Sequence, residues 1–404
     1  MAEFETDRNV YILGAGFSSG ANAPLLNNFL DKARELLDNP NSGLDAVERS
    51  EFQTVFDFRM KMAQAREKVK IDLDNIEQLF GLVEMQQRLS GNALSARNAT
   101  VYLIAKTLEL TIDKPRTNDI WFTENVNLPD SKTIIGGLEL PVQPNVTPAY
   151  FTLGQYDFFA RLIGGQFDAP EKRRYRKDTV LTFNYDLVLD SAFQRAGILT
   201  SYHLPPQFLS TPAASNSDNL TLLKLHGSTN WGICGTCKRN ISVFFSKVTS
   251  SPSDFRRMAC PKCDQHGFQP MLVPPSWDKS EYQELMRPVW SQAIAEIKRA
   301  TRICIIGYSL PESDAYFKYL LTLGLAENHR LYKLIVVDAR PELFMFPSEI
   351  NKNAPKTKTL RERYDDLLEG LFQERRFKFF NDGFSSWLRH ATSDLGRGEL
   401  ITLR

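Results

Sequence analysis

Four cysteines form the most specific chemical pattern in this sequence: Cys234-Gly235-Thr236-Cys237 and Cys260-Pro261-Lys262-Cys263, with 22 residues between the pairs. A C-x-x-C knuckle sets two thiolates on one side of a tight turn, and two knuckles close a four-sulfur tetrahedral zinc site. Four cysteine ligands leave no open coordination position. The expected zinc is therefore structural: it holds a small ribbon together and takes no part in chemistry. His266 needs no role beside them. The fifth cysteine, Cys304, lies in the apolar run Ile303–Ile306 and reads as a reduced core thiol.

The other chemistry-bearing residues follow apolar runs, where a doubly wound sheet presents its ligand-binding ends. After Val10–Leu13 comes Gly14-Ala15-Gly16-Phe17-Ser18, a glycine turn in which backbone N–H groups can approach an anion. Its third glycine, Gly20, falls one place later than the G-x-G-x-x-G fingerprint requires, and Leu25–Leu37 reads as helix where a strand ending in an acid is wanted; an ordinary Rossmann enzyme fits poorly. After Val180-Leu181 stand Asn184-Tyr185-Asp186, an amide and a carboxylate at a strand tip or an Asx turn with a helix cap. Leu223–Leu225 deliver His226-Gly227, with the imidazole either catalytic or structural. Gly307-Tyr308-Ser309 open a turn able to hold a second phosphate or a ribose and run on to Glu312-Ser313-Asp314, and Asp338 ends an apolar run either as a ribose acceptor or as the start of a loop.

The elements that must position these residues alternate. Strands are expected at 180–183, 220–225, 303–306, 334–337 and 377–380, separated by helices at 187–196, 281–299, 314–325 and 359–371, the pattern of a parallel sheet covered by helices. Helical periodicity fills 44–69, 76–89 and 96–110, an insertion that serves either as a lid or as packing alone; Glu77 is its one acidic residue in a suggestive context. A further helix is expected over 147–163. The fold class is α/β, Rossmann-like, a parallel sheet covered by helices, with a small four-cysteine zinc module and a helical insertion. The domains are 1–44 with 145–345 for the catalytic unit, 45–144 for the insertion, 232–268 for the zinc ribbon, and 346–404 as a C-terminal α/β appendage. A net charge of +1 gives no global pull toward nucleic acid or membrane, and the basic run Lys172–Lys177 reads as a solvated loop. No apolar run reaches the roughly 18 residues of a membrane span, and a cytosolic protein is expected.

Taken in order and spacing, the glycine turn, Asn184-Tyr185-Asp186, His226-Gly227, the paired C-x-x-C, Gly307-Tyr308-Ser309 and Val336-Val337-Asp338 resemble the sirtuin family over residues 8–38 and 145–340. The resemblance implies an NAD site: Asn184 and His226 catalytic, with Gly14, Ala15, Gly16, Phe17, Ser18, Asp186, Gly307, Ser309 and Asp338 contacting NAD. It departs from deacylating sirtuins at two places. Asn22-Ala23-Pro24-Leu25-Leu26 replaces their Pro-Asp-Phe-Arg segment, and Pro270–Trp277 replaces the strand that pairs with an acyl-lysine peptide; proline donates nothing to a strand ladder. In these features the chain is more similar to sirtuin-like NAD hydrolases of bacterial anti-phage defence. The expectation is hydrolysis of NAD to nicotinamide and ADP-ribose, with restraint through a homo-oligomer or an activating protein or nucleotide partner, and with no membrane or direct nucleic-acid contact. The alternatives are an NAD-dependent protein deacylase and a sensor of NAD or ADP-ribose without turnover.

Overall fold

The computed structural model describes residues 8–65, 68–69, 71–112, 122–125, 134–135, 138–139, 150–166, 177–209, 219–237, 241–243, 252–274, 283–311, 315–339, 358–373 and 376–395. The expectations for Lys172–Arg176, for Pro275–Trp277 and for Glu312-Ser313-Asp314 lie outside them.

Near-continuous apolar runs such as Asn9–Leu13, Arg302–Ile306 and Lys333–Val337 suit strands buried on both faces. They assemble a seven-stranded sheet in the spatial order Phe377–Phe380, Lys333–Val337, Arg302–Ile306, Asn9–Leu13, Thr179–Thr182, Leu220–Lys224, Thr200–Ser201. Every pairing in it is parallel. The chain leaves Asn9–Leu13 toward one edge and later returns to build the other. The switch point therefore lies between Asn9–Leu13 and Arg302–Ile306, where both glycine turns emerge.

Those turns share one space. Gly16 N–H donates to the Gly307 carbonyl at 2.8 Å, and Gly14 N–H to the Ile306 carbonyl at 3.0 Å. A Cβ on Gly14 would lie 2.5 Å from Tyr308 Cα, and one on Gly307, which has φ +61°, would lie 2.3 Å from the Phe17 nitrogen. The Leu360–Leu367 helix braces the second turn, with Tyr364 donating to the Tyr308 carbonyl at 2.7 Å and Arg363 to that of Leu310 at 3.3 Å.

The helices Phe29–Asp38, Ala46–Ala63, Ile76–Ser90 and Leu94–Thr111 have a core of their own, built on Phe52, Leu79, Phe80 and Leu103. Their ends carry the local signals: Asp45 and Glu48 form a capping box, Asn75 accepts from the N–H groups of Glu77 and Gln78, and Gly91 closes the Ile76–Ser90 helix in the left-handed region. The segment bearing the four cysteines is built on a three-stranded antiparallel sheet of Ile241–Val243, Gly227–Cys234 and Phe268–Leu272, which reaches beyond 232–268 at both ends. Gly227 sits at φ +83° with no room for a Cβ beside the Met271 carbonyl, which explains the glycine after His226.

Several expectations change. The first helix of the helical unit begins at Phe29 rather than Leu25, because the Asn28 side chain accepts from Leu25 N–H, and a short turn of helix, Ala15–Ser18, runs through the glycine turn itself. The expected helix over 147–163 divides at Gly154: Tyr150–Leu153 is a strand paired with Phe122–Asn125, and Gln155–Ile163 is the helix. The described part of 346–404 joins the main unit. Phe377–Phe380 extends the seven-stranded sheet, and Phe384 of the following helix packs on Phe17 with ring centroids 4.7 Å apart.

The interlocked turns make a stability prediction. Gly307→Ala combines overpacking with a left-handed backbone and should cost about 3 kcal/mol in denaturant titration. Gly91→Ala has the same backbone sign, with nothing within 4 Å of its Cβ, and should cost only about 1 kcal/mol.

Candidate functional site

Asn184 follows the Thr179–Thr182 strand and crosses to the neighbouring turn. Its Nδ2 donates to the Gly14 carbonyl at 2.9 Å and to Ser18 Oγ at 3.2 Å, while its main-chain N–H donates to Thr182 Oγ1 at 3.1 Å. The Gly14 carbonyl can only accept, so its partner must be the amide nitrogen. This pairing fixes the orientation of the amide and makes Oδ1 the atom through which it can hold a water or hydroxyl. Asp186 lies two residues on, buried, with Oδ1 accepting from Val188 N–H at 3.0 Å. Burial pushes its carboxyl above the ordinary carboxylate range, against the opposing pull of the Lys224 ammonium, the Val188 N–H and the Ser18 hydroxyl. Ser18 thus accepts from Asn184 and lies close enough to Asp186 to favour its ionised form.

A cleft of about 790 Å³, counting the part open to solvent, runs along these groups. One wall is formed by Gly14, Ala15, Asn184, Tyr185, Asp186 and Ser309. The facing wall belongs to the helical unit: Phe29, Ile76, Phe80, Ile104 and Leu108 give it an apolar surface, and Glu77 adds a carboxylate. The insertion therefore lines the site, a role the sequence leaves open between lid and packing.

Other expected contacts stand apart from the cleft wall. His226 is 3% exposed, and its ring packs against Phe183 at 5.1 Å and Tyr185 at 6.2 Å, both of which line the cleft while His226 does not. Phe17 is a core side chain among Tyr156, Phe159 and Phe384, and its carbonyl accepts from the Tyr156 hydroxyl at 2.9 Å. The N–H groups of Gly16 and Phe17 bond to the Gly307 and Gly14 carbonyls, so these two donors serve the turn itself. Gly307 packs under Gly16, and Asp338 follows its strand with its N–H donated to the Phe380 carbonyl at 3.1 Å.

The four cysteines converge. Cys234 and Cys263 have sulfurs 3.7 Å apart, Cys237 and Cys260 3.8 Å, and all four sulfurs lie within 4.8 Å of one another. A tetrahedron with Zn–S bonds of about 2.3 Å has sulfur–sulfur edges of about 3.8 Å, so the donor set fits zinc. The cluster caps the three-stranded sheet, with Phe255 and Phe268 packed beside it.

Lys224, Asp190 and Tyr202 form a buried network behind the Asn184–Asp186 turn and stand outside the expected site residues. The available signal is a lysine at the end of an otherwise apolar strand run, Leu222-Leu223-Lys224-Leu225.

Residues 178–364 match the protein-family model of the SIR2-like domain. The match supports a sirtuin-like family for this part of the chain. It holds five of the seven sheet strands, and the other two, Asn9–Leu13 and Phe377–Phe380, lie outside the matched span together with the first glycine turn. No curated protein matches the chain. Among solved structures, the chain is similar to a sirtuin studied for its substrate affinity, at 13% identity over 96% of this chain and 95% of that chain, with a TM-score of 0.40. It is also similar to a His-to-Asn mutant of a Sir2 homologue in complex with ADP-ribose, at 16% identity over 92% of this chain and 94% of that one, with a TM-score of 0.35. Among the described residues, no helix is long and apolar enough to cross a membrane.

Two measurements check this site. Purified protein should carry one zinc per chain by metal analysis, and Cys260→Ser should lose it together with thermal stability. Because burial raises Asp186 above its unfolded value of about 3.9, its ionisation removes stability as pH rises through the folded pKa. Asp186→Asn should therefore melt higher than the parent at pH 8, with the difference closing as pH falls toward about 4.

Proposed function

We propose that this chain is an NAD hydrolase that cleaves the nicotinamide–ribose bond to give nicotinamide and ADP-ribose. The observation that carries the reading is the Asn184 amide, held by Gly14 and Ser18 on the wall of a cleft that also presents Asp186 and Ser309. Cleavage passes through an oxocarbenium-like state, so the site must hold a water below the reacting carbon and tolerate positive charge. Asn184 Oδ1 orients that water, and the carboxyl of Asp186 lies beside the departing nicotinamide. His226 is the proton-handling group for the ribose hydroxyls once its cover of Phe183 and Tyr185 gives way, since both rings pack over it in this structure.

Water is favoured over an acyl-lysine peptide as acceptor by the strand after the four cysteines. Pro270 has no N–H to offer, Val273 N–H already donates to the His226 carbonyl at 2.8 Å, and the Val273 carbonyl accepts from the Tyr185 hydroxyl at 2.9 Å. An enzyme that depletes NAD must also be restrained. The burial of His226 behind Phe183 and Tyr185 supports low basal turnover, raised by an activating partner or by self-assembly in an anti-phage response.

Nicotinamide release from NAD, followed with and without infected-cell extract, tests the reading. Asn184→Ala and His226→Ala should each lose at least about 100-fold in rate while remaining folded. Substantial turnover remaining in both variants, or formation of 2′-O-acetyl-ADP-ribose only when acetyl-lysine peptide is supplied, would overturn it.

A further inference from the structure

Lys224 closes the Leu220–Lys224 strand with no exposed side-chain surface. An ammonium at that depth is costly unless it is paired and hydrogen-bonded. Its Nζ donates to the main-chain carbonyl of Asp186 at 2.6 Å and to Asp190 Oδ2 at 3.0 Å, while Asp190 Oδ1 accepts from the Tyr202 hydroxyl at 2.6 Å. Lys224 also lies in register with Thr182, whose hydroxyl accepts from Asn184 N–H. One cation thereby ties together the strand that leads into His226, the turn that carries Asn184 and Asp186, and the Val188–Arg195 helix.

We propose that Lys224 is a positioning residue for the cleft: with Asp190 as its counter-ion, it pins the Asn184–Asp186 turn to the strand leading into His226 and so sets how both groups meet a ligand. Its effect on turnover rests on the NAD-hydrolase reading; its effect on Asp186 does not. The groups that face Asp186 are Lys224 from the adjoining strand, Asp190 from the Val188–Arg195 helix, Ser18 from the glycine turn and Tyr156 from the Gln155–Ile163 helix. Burial pushes the Asp186 carboxyl up; Lys224 is the strongest influence pulling it down, and Asp190 a weaker push upward. Removing Lys224 and Asp190 together must therefore raise it further.

The test is the double variant Lys224→Met/Asp190→Asn, which removes both charges, leaves an acceptor for Tyr202, and avoids the orphaned carboxylate that Lys224→Met alone would create. The expected result is a folded protein whose kcat for nicotinamide release falls about 100-fold, as a displaced turn requires, with KM little changed. In the same variant, the Asp186 titration midpoint, read by carboxyl ¹³C NMR, moves to higher pH. A kcat close to the parent's, an unmoved midpoint, or loss of the folded state would each overturn the proposal, the last by making Lys224 a purely structural residue. If the parent itself releases no nicotinamide under any condition, the hydrolase reading fails on its own, and the Asp186 midpoint in the two proteins still decides the part played by Lys224.

Discussion

The site end of this protein depends on two glycine turns occupying one space. Where the sheet changes direction, the turn after Asn9–Leu13 lies against the turn after Arg302–Ile306, close enough for Gly16 to donate to the Gly307 carbonyl at 2.8 Å. A side chain at Gly14, Gly16 or Gly307 would enter the backbone of the opposite turn. This packing spends the Gly16 N–H within the protein, and the open space lies to one side, along Asn184, Asp186 and the helical unit. The C-terminal part of the chain stabilises the same point, since Tyr364 holds the Tyr308 carbonyl and Phe384 packs on Phe17.

Around that contact, the polar groups are satisfied by one another. Asn184 reaches Gly14 and Ser18, Lys224 joins the Asp186 carbonyl to Asp190, and Tyr202 completes the chain. In a buried setting such a network is strong when complete and costly when broken, so it gives the turn between strand and helix a single conformation. The helical unit supplies what the network lacks: an apolar wall of Ile76, Phe80, Ile104 and Leu108 that closes the cleft from the other side.

Much of this was legible in the sequence. Uninterrupted runs such as Ile303–Ile306 and Leu334–Val337 are best satisfied between two covering layers, and the four cysteines have few uses other than a shared metal. Polar residues at the ends of those runs marked one edge of the sheet, and the cleft wall gathers Gly14, Ala15, Asn184, Asp186 and Ser309 from them. Local signals misled where a distant partner prevailed. Tyr150–Leu153 reads as the start of a helix until Phe122–Asn125 pairs with it, and Phe377–Phe380 reads as part of an appendage until Lys333–Val337 does.

Local chemistry, then, determined the long buried strands of the main sheet, the cysteine knuckles and the kinds of residue at the strand ends, because each depends on neighbours a few positions away. Tertiary structure alone decided that the turns of Gly14 and Gly307 meet, that the insertion lines the cleft, that His226 packs behind Phe183 and Tyr185, and that Lys224 finds Asp186 and Asp190. Those contacts join separate elements of the fold, and their energies come from burial and from mutual exclusion of space, neither of which a residue's own neighbours in sequence can set.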